Sequence, residues 1–303
     1  MKSPGPDDDA AELRKLHAEA DTRDRDLRGM GERERSQGAL IARLRGEAQV
    51  RDEQLAALKE QLGTAEHELK DLRAIRDALT PPELPQRPGL ALAAAFLPAS
   101  EQVSGDFYLV TEGPEDSTLL VIGDVVGHGL QAARRAAFVR TTFAATAPFS
   151  DDPCQLLSWA NTAIVERAGT SSEFVTVACV SYLPSDRLLR WAYAGHPPAL
   201  SMYDTKELVA PNQGTPLGIE ENPTYDEGSL RADGPVGILL YTDGLTEAKH
   251  DEQMFGLKGV TSALDRLENP SPKEAIAVLR ARVAEFAYGS LTDDLCMLAA
   301  RIN

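Results

Sequence analysis

The sequence predicts an α+β domain preceded by a long coiled coil. Three observations carry this reading. Residues 13–79 keep apolar side chains in one unbroken heptad register, the run Thr80-Pro81-Pro82-Glu83-Leu84-Pro85 stops it, and from Leu90 onward short apolar runs rich in β-formers alternate with Ala-rich helical stretches.

In the first of these segments Leu13, Leu27, Ile41, Leu55, Leu62 and Leu69 occupy a positions, and Leu16, Met30, Leu44, Leu58, Leu72 and Leu79 occupy d positions. Of the twenty a and d positions, fifteen are apolar, more than a solvated polar helix requires. At a rise of 1.5 Å per residue the seam is roughly 100 Å long. Gly29, Gly31 and Gly38 crowd the polar core positions Glu34 and Gln37, so the seam is weakest between 28 and 40 and tightest from Leu55 to Leu72. The seam leaves parallel and antiparallel pairing open; a parallel homodimer is expected because a globular domain follows directly at one end. The prolines from Pro81 to Pro88 remove backbone donors and form a stiff elbow with no Gly/Ser linker after it.

Beyond the elbow, strands are expected at Leu90–Leu97, Phe107–Val110, Leu119–Ile122, Phe174–Tyr182, Arg187–Ala194, Val236–Thr242 and Leu295–Ile302. Pro184-Ser185-Asp186 between two of them is a hairpin signal. Helices are expected at Gln131–Thr146, at Asp152–Ala168 with an Asp-Pro start, and at Pro272–Ala287.

The net charge of −16 is unevenly placed: residues 1–80 hold 15 Lys and Arg against 18 Asp and Glu, whereas residues 81–303 hold 16 against 29. Such a surface disfavours nucleic acid and anionic membranes and suits a site that gathers carboxylates around cations. No apolar run approaches the ~20 residues of a membrane span, and the polar N-terminus lacks a signal-peptide core. The three cysteines, Cys154, Cys179 and Cys296, have no metal-ligand spacing, so the latter two are expected to pack as small hydrophobes in a cytoplasmic protein.

The stretch around which the rest is organised is Val121-Ile122-Gly123-Asp124-Val125-Val126-Gly127-His128-Gly129-Leu130. An apolar run delivers one carboxylate, Asp124, to the end of a buried strand, beside a turn that glycines leave open; such a carboxylate is well placed to hold a hard cation. Three further segments repeat the pattern: Ser104-Gly105-Asp106-Phe107-Tyr108, Leu239-Leu240-Tyr241-Thr242-Asp243-Gly244-Leu245, and Leu291-Thr292-Asp293-Asp294-Leu295. Four acidic positions at the starts or ends of apolar runs read as one assembled site. Oxygen ligands favour Mg²⁺ or Mn²⁺, whereas zinc prefers His/Cys sets that are absent here.

These segments, together with Tyr193-Ala194-Gly195-His196-Pro197-Pro198-Ala199-Leu200 and Gly214-Thr215-Pro216-Leu217-Gly218, resemble the PPM family of metal-dependent protein serine/threonine phosphatases in its SpoIIE/RsbU-like bacterial branch, over residues 84 to 303. The resemblance implies a phosphatase domain over 89–303, an antiparallel β-sandwich flanked by helices; it follows the disordered 1–12, the dimerising or regulatory coiled coil over 13–80 and the elbow at 81–88 that the residues themselves predict. It implies a site binding two Mn²⁺ or Mg²⁺ ions, with Asp124 bridging them and the Val125 carbonyl completing one. Asp243 and Asp293 would bind the other, and Asp106 would act through a metal-held water. The implied reaction is direct attack of a metal-bridging water on phosphoserine or phosphothreonine of a partner, of the phosphorylated anti-sigma-factor-antagonist type. The length of the coiled coil beyond what dimerisation needs, and its soft zone from Gly29 to Gly38, make a regulatory protein docked on it a further expected partner. The competing reading is a non-catalytic coiled-coil scaffold with a phosphatase-like binding domain. Departures from the family pattern fall at Ser104, Leu109, Val126 and Cys296, and none removes a ligand. No arginine is assigned to the phosphate; Arg134 and Arg135 are near in sequence only, and His128 and His196 are placed near the site without a chemical role.

Overall fold

The computed structural model describes residues 23, 25, 28–30, 35–65, 84–97, 99, 104–127, 129–168, 174–288, 291 and 293–302. The expected disordered 1–12, most of the seam before 35, its continuation from 66 to 80 and residues 81–83 of the elbow lie outside the described residues. The chain divides into two compact units, residues 1–68 and 69–303.

In the first unit, residues 35–65 form one continuous helix, α1. An Arg43–Glu47 pair at 2.8 Å bridges one turn of its surface. The a and d residues Ile41, Leu44, Leu55, Leu58 and Leu62 stand 48–62% exposed, a stripe with no internal partner among the described residues.

The second unit is built on two antiparallel sheets. One contains β1 (Leu90–Leu97), β11 (Leu295–Ile302), β8 (Val236–Tyr241) and β6 (Leu200–Ser201), in that order. The other runs β2 (Phe107–Glu112), β3 (Thr118–Val125), β4 (Val175–Leu183), β5 (Leu188–Ala194) and β7 (Gly228–Arg231). A two-stranded ribbon, β9 (Lys249–His250) with β10 (Gln253–Met254), stands apart. The helices are α2 (Leu130–Thr146), α3 (Pro153–Ala168), α4 (Gly256–Leu264) and α5 (Pro272–Phe286).

Strand periodicity sorts the side chains into three apolar layers. Tyr108, Leu120, Ile122, Ala178, Val180 and Tyr193 of one sheet meet Ile238, Leu240, Cys296, Leu298 and Ile302 of the other in the space between the sheets. The opposite face of the β2–β7 sheet, with Leu119, Val121 and Val177, packs on Ala136, Val139 and Phe143 of α2 and on Leu156, Leu157 and Ala160 of α3. The outer face of the other sheet, with Ala93, Leu239, Met297 and Ala299, packs on Val260 of α4 and on Ile276, Leu279 and Val283 of α5. The result is a four-layer helix–sheet–sheet–helix sandwich, the architecture that the resemblance implied.

The expected elements are present, with shifted ends. Thr118–Val125 is longer than the apolar run because the ladder to β4 continues through Asp124↔Thr176 and Val125↔Val175. Asp152 caps α3 from outside it, its Oδ1 accepting from the N–H groups of Cys154 (2.8 Å) and Gln155 (3.2 Å). Ser271 and Glu274 close a capping box at the start of α5. Short elements absent from the sequence reading are β6, β7, β9, β10 and α4. The first four are two to four residues long, too short to show an alternation.

Candidate metal centre

The same alternation that builds the inner layer aims the key carboxylates. Leu120 and Ile122 of β3 point between the sheets, so Asp124, two residues on, points there too at the sandwich edge. Asp106 stands in the same phase as the inward Tyr108 and immediately before β2. Asp243 begins a short 3₁₀ turn two residues after the end of β8, and Asp293 lies two residues before β11. One sheet therefore supplies Asp106 and Asp124 and the other supplies Asp243 and Asp293.

Thr242 joins the two halves. It is fully buried, and its Oγ1 accepts from the Cys296 N–H at 2.9 Å while donating to Asp106 Oδ2 at 2.7 Å. Its own N–H donates to the Cys296 carbonyl at 3.0 Å. His196 makes the second link. Its Nε2 lies 3.0 Å from the Tyr241 carbonyl and its Nδ1 2.8 Å from Thr176 Oγ1. A carbonyl only accepts, so Nε2 carries the hydrogen and Nδ1 accepts from the threonine hydroxyl. Burial pushes this imidazole down to about 4, which keeps it neutral. Thr176 is the ladder partner of Asp124, and Tyr241 precedes Asp243 by two residues. His196 thus spans the strand ends that carry two of the four carboxylates.

Close backbone approach completes the site. A Cβ on Gly105 would lie 2.7 Å from the Val125 carbonyl oxygen, so glycine lets the Asp106 segment run directly beside it. A Cβ on Gly244 would collide with the Asp294 carbonyl, so the Asp243 turn and the Asp293-Asp294 turn touch only because that side chain is missing. Asp294 Oδ1 accepts from the Ala99 N–H at 2.9 Å, and Asp293 Oδ1 accepts from the Asp294 N–H at 2.8 Å.

The carboxylates feel one another. Asp106 is held well above the usual carboxylate range, first by burial and then by the charge of Asp124. Asp124 is pushed up to about 6 by burial and by Asp243, while a hydrogen bond from Asp106 pulls the other way. Asp243 is raised by burial and by Asp293. Burial and mutual repulsion thus favour protonation of Asp106 and Asp124 in the metal-free protein.

Among the described residues, no three His, Cys, Asp or Glu side chains are gathered tightly enough to hold an ion without moving. The donor set nonetheless fits hard divalent cations in its chemistry: carboxylate and carbonyl oxygens only, crowded and partly buried, with raised proton affinity that a cation would relieve. Zinc is a poorer match, because both nitrogens of His196 are engaged and the Cys296 thiol is held protonated by burial.

Sequence reasoning named the four aspartates and Val125, and the structure brings their segments to one edge of the sandwich. It missed Thr242, although a polar residue in the inward phase of Ile238 and Leu240 was a readable signal. It left His196 without a role, because its two partners come from distant strands. His128 lies outside the described residues.

The fold and this arrangement of carboxylates define a PP2C-type (PPM) domain. Residues 114–303 match the family model of Stage II sporulation protein E (SpoIIE), and the chain belongs to that family. Among its relatives, Protein IcfG of Synechocystis sp. is 27% identical over 267 residues, covering 78% of this chain and 42% of that protein. The phosphoserine phosphatase RsbP of Bacillus subtilis is 26% identical over 168 residues, covering 54% of this chain and 41% of RsbP. The chain thus spans about two fifths of the length of these two relatives. The SiaA-PP2C domain of Pseudomonas aeruginosa shares the fold, with a TM-score of 0.64 at 22% identity over 82% of this chain and all of that one.

Proposed function

We propose that the protein is a metal-dependent protein serine/threonine phosphatase acting on phosphoserine or phosphothreonine of a partner protein. The observation that carries this reading is the convergence of Asp106, Asp124, Asp243 and Asp293 from two sheets on one edge, where burial and neighbouring carboxylates raise the proton affinities of Asp106, Asp124 and Asp243. Asp124 would hold both ions, with the Val125 carbonyl on one and Asp243 and Asp293 on the other. Two Mn²⁺ or Mg²⁺ ions, when bound, supply a Lewis acid that lowers the pKa of water and neutralises the phosphoryl oxygens. Asp106, kept in place by Thr242, would orient water at the cluster and accept its proton. His196 stays neutral and positions strands rather than exchanging protons.

Membership of the SpoIIE family supports a substrate of the phosphorylated anti-sigma-factor-antagonist type, and RsbP is itself a phosphoserine phosphatase. The exposed seam of α1 supports a parallel homodimer through residues 13–80, with spare length for a regulatory protein. Among the described residues no helix is long and apolar enough to cross a membrane.

The test is hydrolysis of a chromogenic phosphate ester with Mn²⁺, in the wild type and in Asp124→Ala and Asp243→Ala. Turnover that each substitution lowers by at least a hundredfold is expected. No turnover, or turnover indifferent to both substitutions, would leave the non-catalytic scaffold as the better reading.

A further inference from the structure

A surface of different character leads away from Asp124 along α2. Val126 and Leu130 are apolar yet 42% and 40% exposed, and Arg134 is exposed. Leu130, Arg134 and Phe138 recur every four residues and so share one side of the helix, away from the buried Ala132, Ala136, Val139 and Phe143. At its far end the Arg167 guanidinium of α3 lies over the Phe138 ring, 4.4 Å from its centroid. The helix contains Arg134, Arg135 and Arg140 and no acidic residue, whereas residues 81–303 as a whole hold 16 basic against 29 acidic residues. Arg135 and Arg140 are only partly exposed, Arg140 beside Tyr108, so Arg134 and Arg167 are the exposed charges of the strip.

We infer that this strip docks the substrate segment next to its phosphorylated residue and selects acidic and apolar side chains there. The inference rests on the phosphatase reading and adds a recognition rule to it. A phosphorylated segment approaching a domain with 16 basic against 29 acidic residues is repelled by its surface charge. A guanidinium pair along one exit from the cluster offsets that repulsion in one direction only, so the substrate chain is oriented as well as attracted. Val126 and Leu130, between the cluster and Arg134, offer apolar area that a neighbouring aliphatic residue would cover. Arg134 lies one helical turn beyond Leu130, so the path from the cluster is about 10–15 Å. An extended peptide covers that path in about three to five residues, which places the preferred Asp or Glu at that distance from the phosphoresidue.

The experiment uses the full chain and two labelled phosphopeptides, identical except for Asp and Glu or Lys at those positions, with affinity read by fluorescence anisotropy. The acidic peptide is expected to bind roughly tenfold more tightly at low salt, an advantage that shrinks in 0.5 M NaCl and is lost or reversed in Arg134→Glu and in the Arg134→Glu/Arg167→Glu double variant. Leu130→Ser should weaken both peptides alike. Circular dichroism and the chromogenic ester control for the folding of each variant. Equal binding of the two peptides, or a preference that survives the double variant, overturns the inference. A change of oligomeric state in Arg134→Glu also overturns it, by assigning the strip to a second copy of the chain. Peptide preference that reverses as expected in a protein with no ester turnover would defeat the phosphatase reading and leave the docking strip standing.

Discussion

Thr242 Oγ1 donates to Asp106 Oδ2 at 2.7 Å across 136 residues of chain, and the same oxygen accepts from the Cys296 N–H. One hydroxyl therefore ties the strand-end carboxylate of one sheet to two adjacent strands of the other. Because it carries both bonds, it sets how far Asp106 stands from the Asp243 turn.

Thr242→Val keeps the shape and the β-branching but leaves the Cys296 N–H and the Asp106 carboxylate without their partner. A loss of about 1–3 kcal/mol in stability is expected, with a tenfold or greater weakening of Mn²⁺ binding by calorimetry. Thr242→Ser should restore most of the metal affinity. A Thr242→Val protein that melts earlier but binds Mn²⁺ as the wild type does would show that the hydroxyl only packs.

Asp124 carries a proton affinity raised from 3.8 to about 6, so in metal-free protein its ionised form costs stability. That penalty is absent below about pH 4, grows as pH rises through about 6, and is constant above. Asp124→Asn should therefore stabilise the metal-free protein at pH 7.5 by on the order of 2 kcal/mol while abolishing the rise in Tm that Mn²⁺ gives the wild type. The apparent Mn²⁺ affinity of the wild type should fall below pH 6, where protons compete for the same oxygens. A Tm lower than wild type for metal-free Asp124→Asn would refute the electrostatic account.

His196 acts in the opposite sense. Its folded value of about 4 lies below the ordinary 6.5, so the unfolded chain binds the extra proton between those limits. Stability from this group is whole above pH 6.5 and is lost as pH falls towards 4, by on the order of 3 kcal/mol. Denaturant titrations from pH 4 to 7 should show a shallower acid loss in His196→Gln than in the wild type, from a lower starting stability.

The exposed seam of α1 predicts a concentration-dependent assembly. Leu55→Asp with Leu58→Asp should convert a dimer to a monomer in sedimentation equilibrium without altering the melting of residues 84–302. Comparing kcat, KM and Mn²⁺ dependence of the two forms then reads out coupling: identical constants would make the coiled coil a tether in the absence of a further partner.

Much of this was legible from residue order. The apolar runs ending in Asp124 and Asp243 announced strands and placed each carboxylate at an edge, because alternation fixes which way a side chain two residues on must point. The layering was less legible, since β1 and β11 pair from Leu90↔Ile302 to Leu97↔Leu295 across most of the domain and no local pattern encodes that register. The role of Gly105 was visible only as a small residue beside Asp106, because the oxygen it makes room for belongs to Val125. His196 was opaque for the same reason: burial and a two-sided hydrogen bond are properties of its neighbours, Thr176 and Tyr241.

The last strand has an effect on timing. β11 lies between β1 and β8, and the Asp293-Asp294 turn leads into it. Until residues 295–302 have left the ribosome, β1 and β8 have nothing to bridge them and Cys296 cannot engage Thr242. A nascent chain thus carries Asp106, Asp124 and Asp243 before it can arrange them. Synthesis of these three carboxylates and their gathering at one edge are separated by the closure of one sheet.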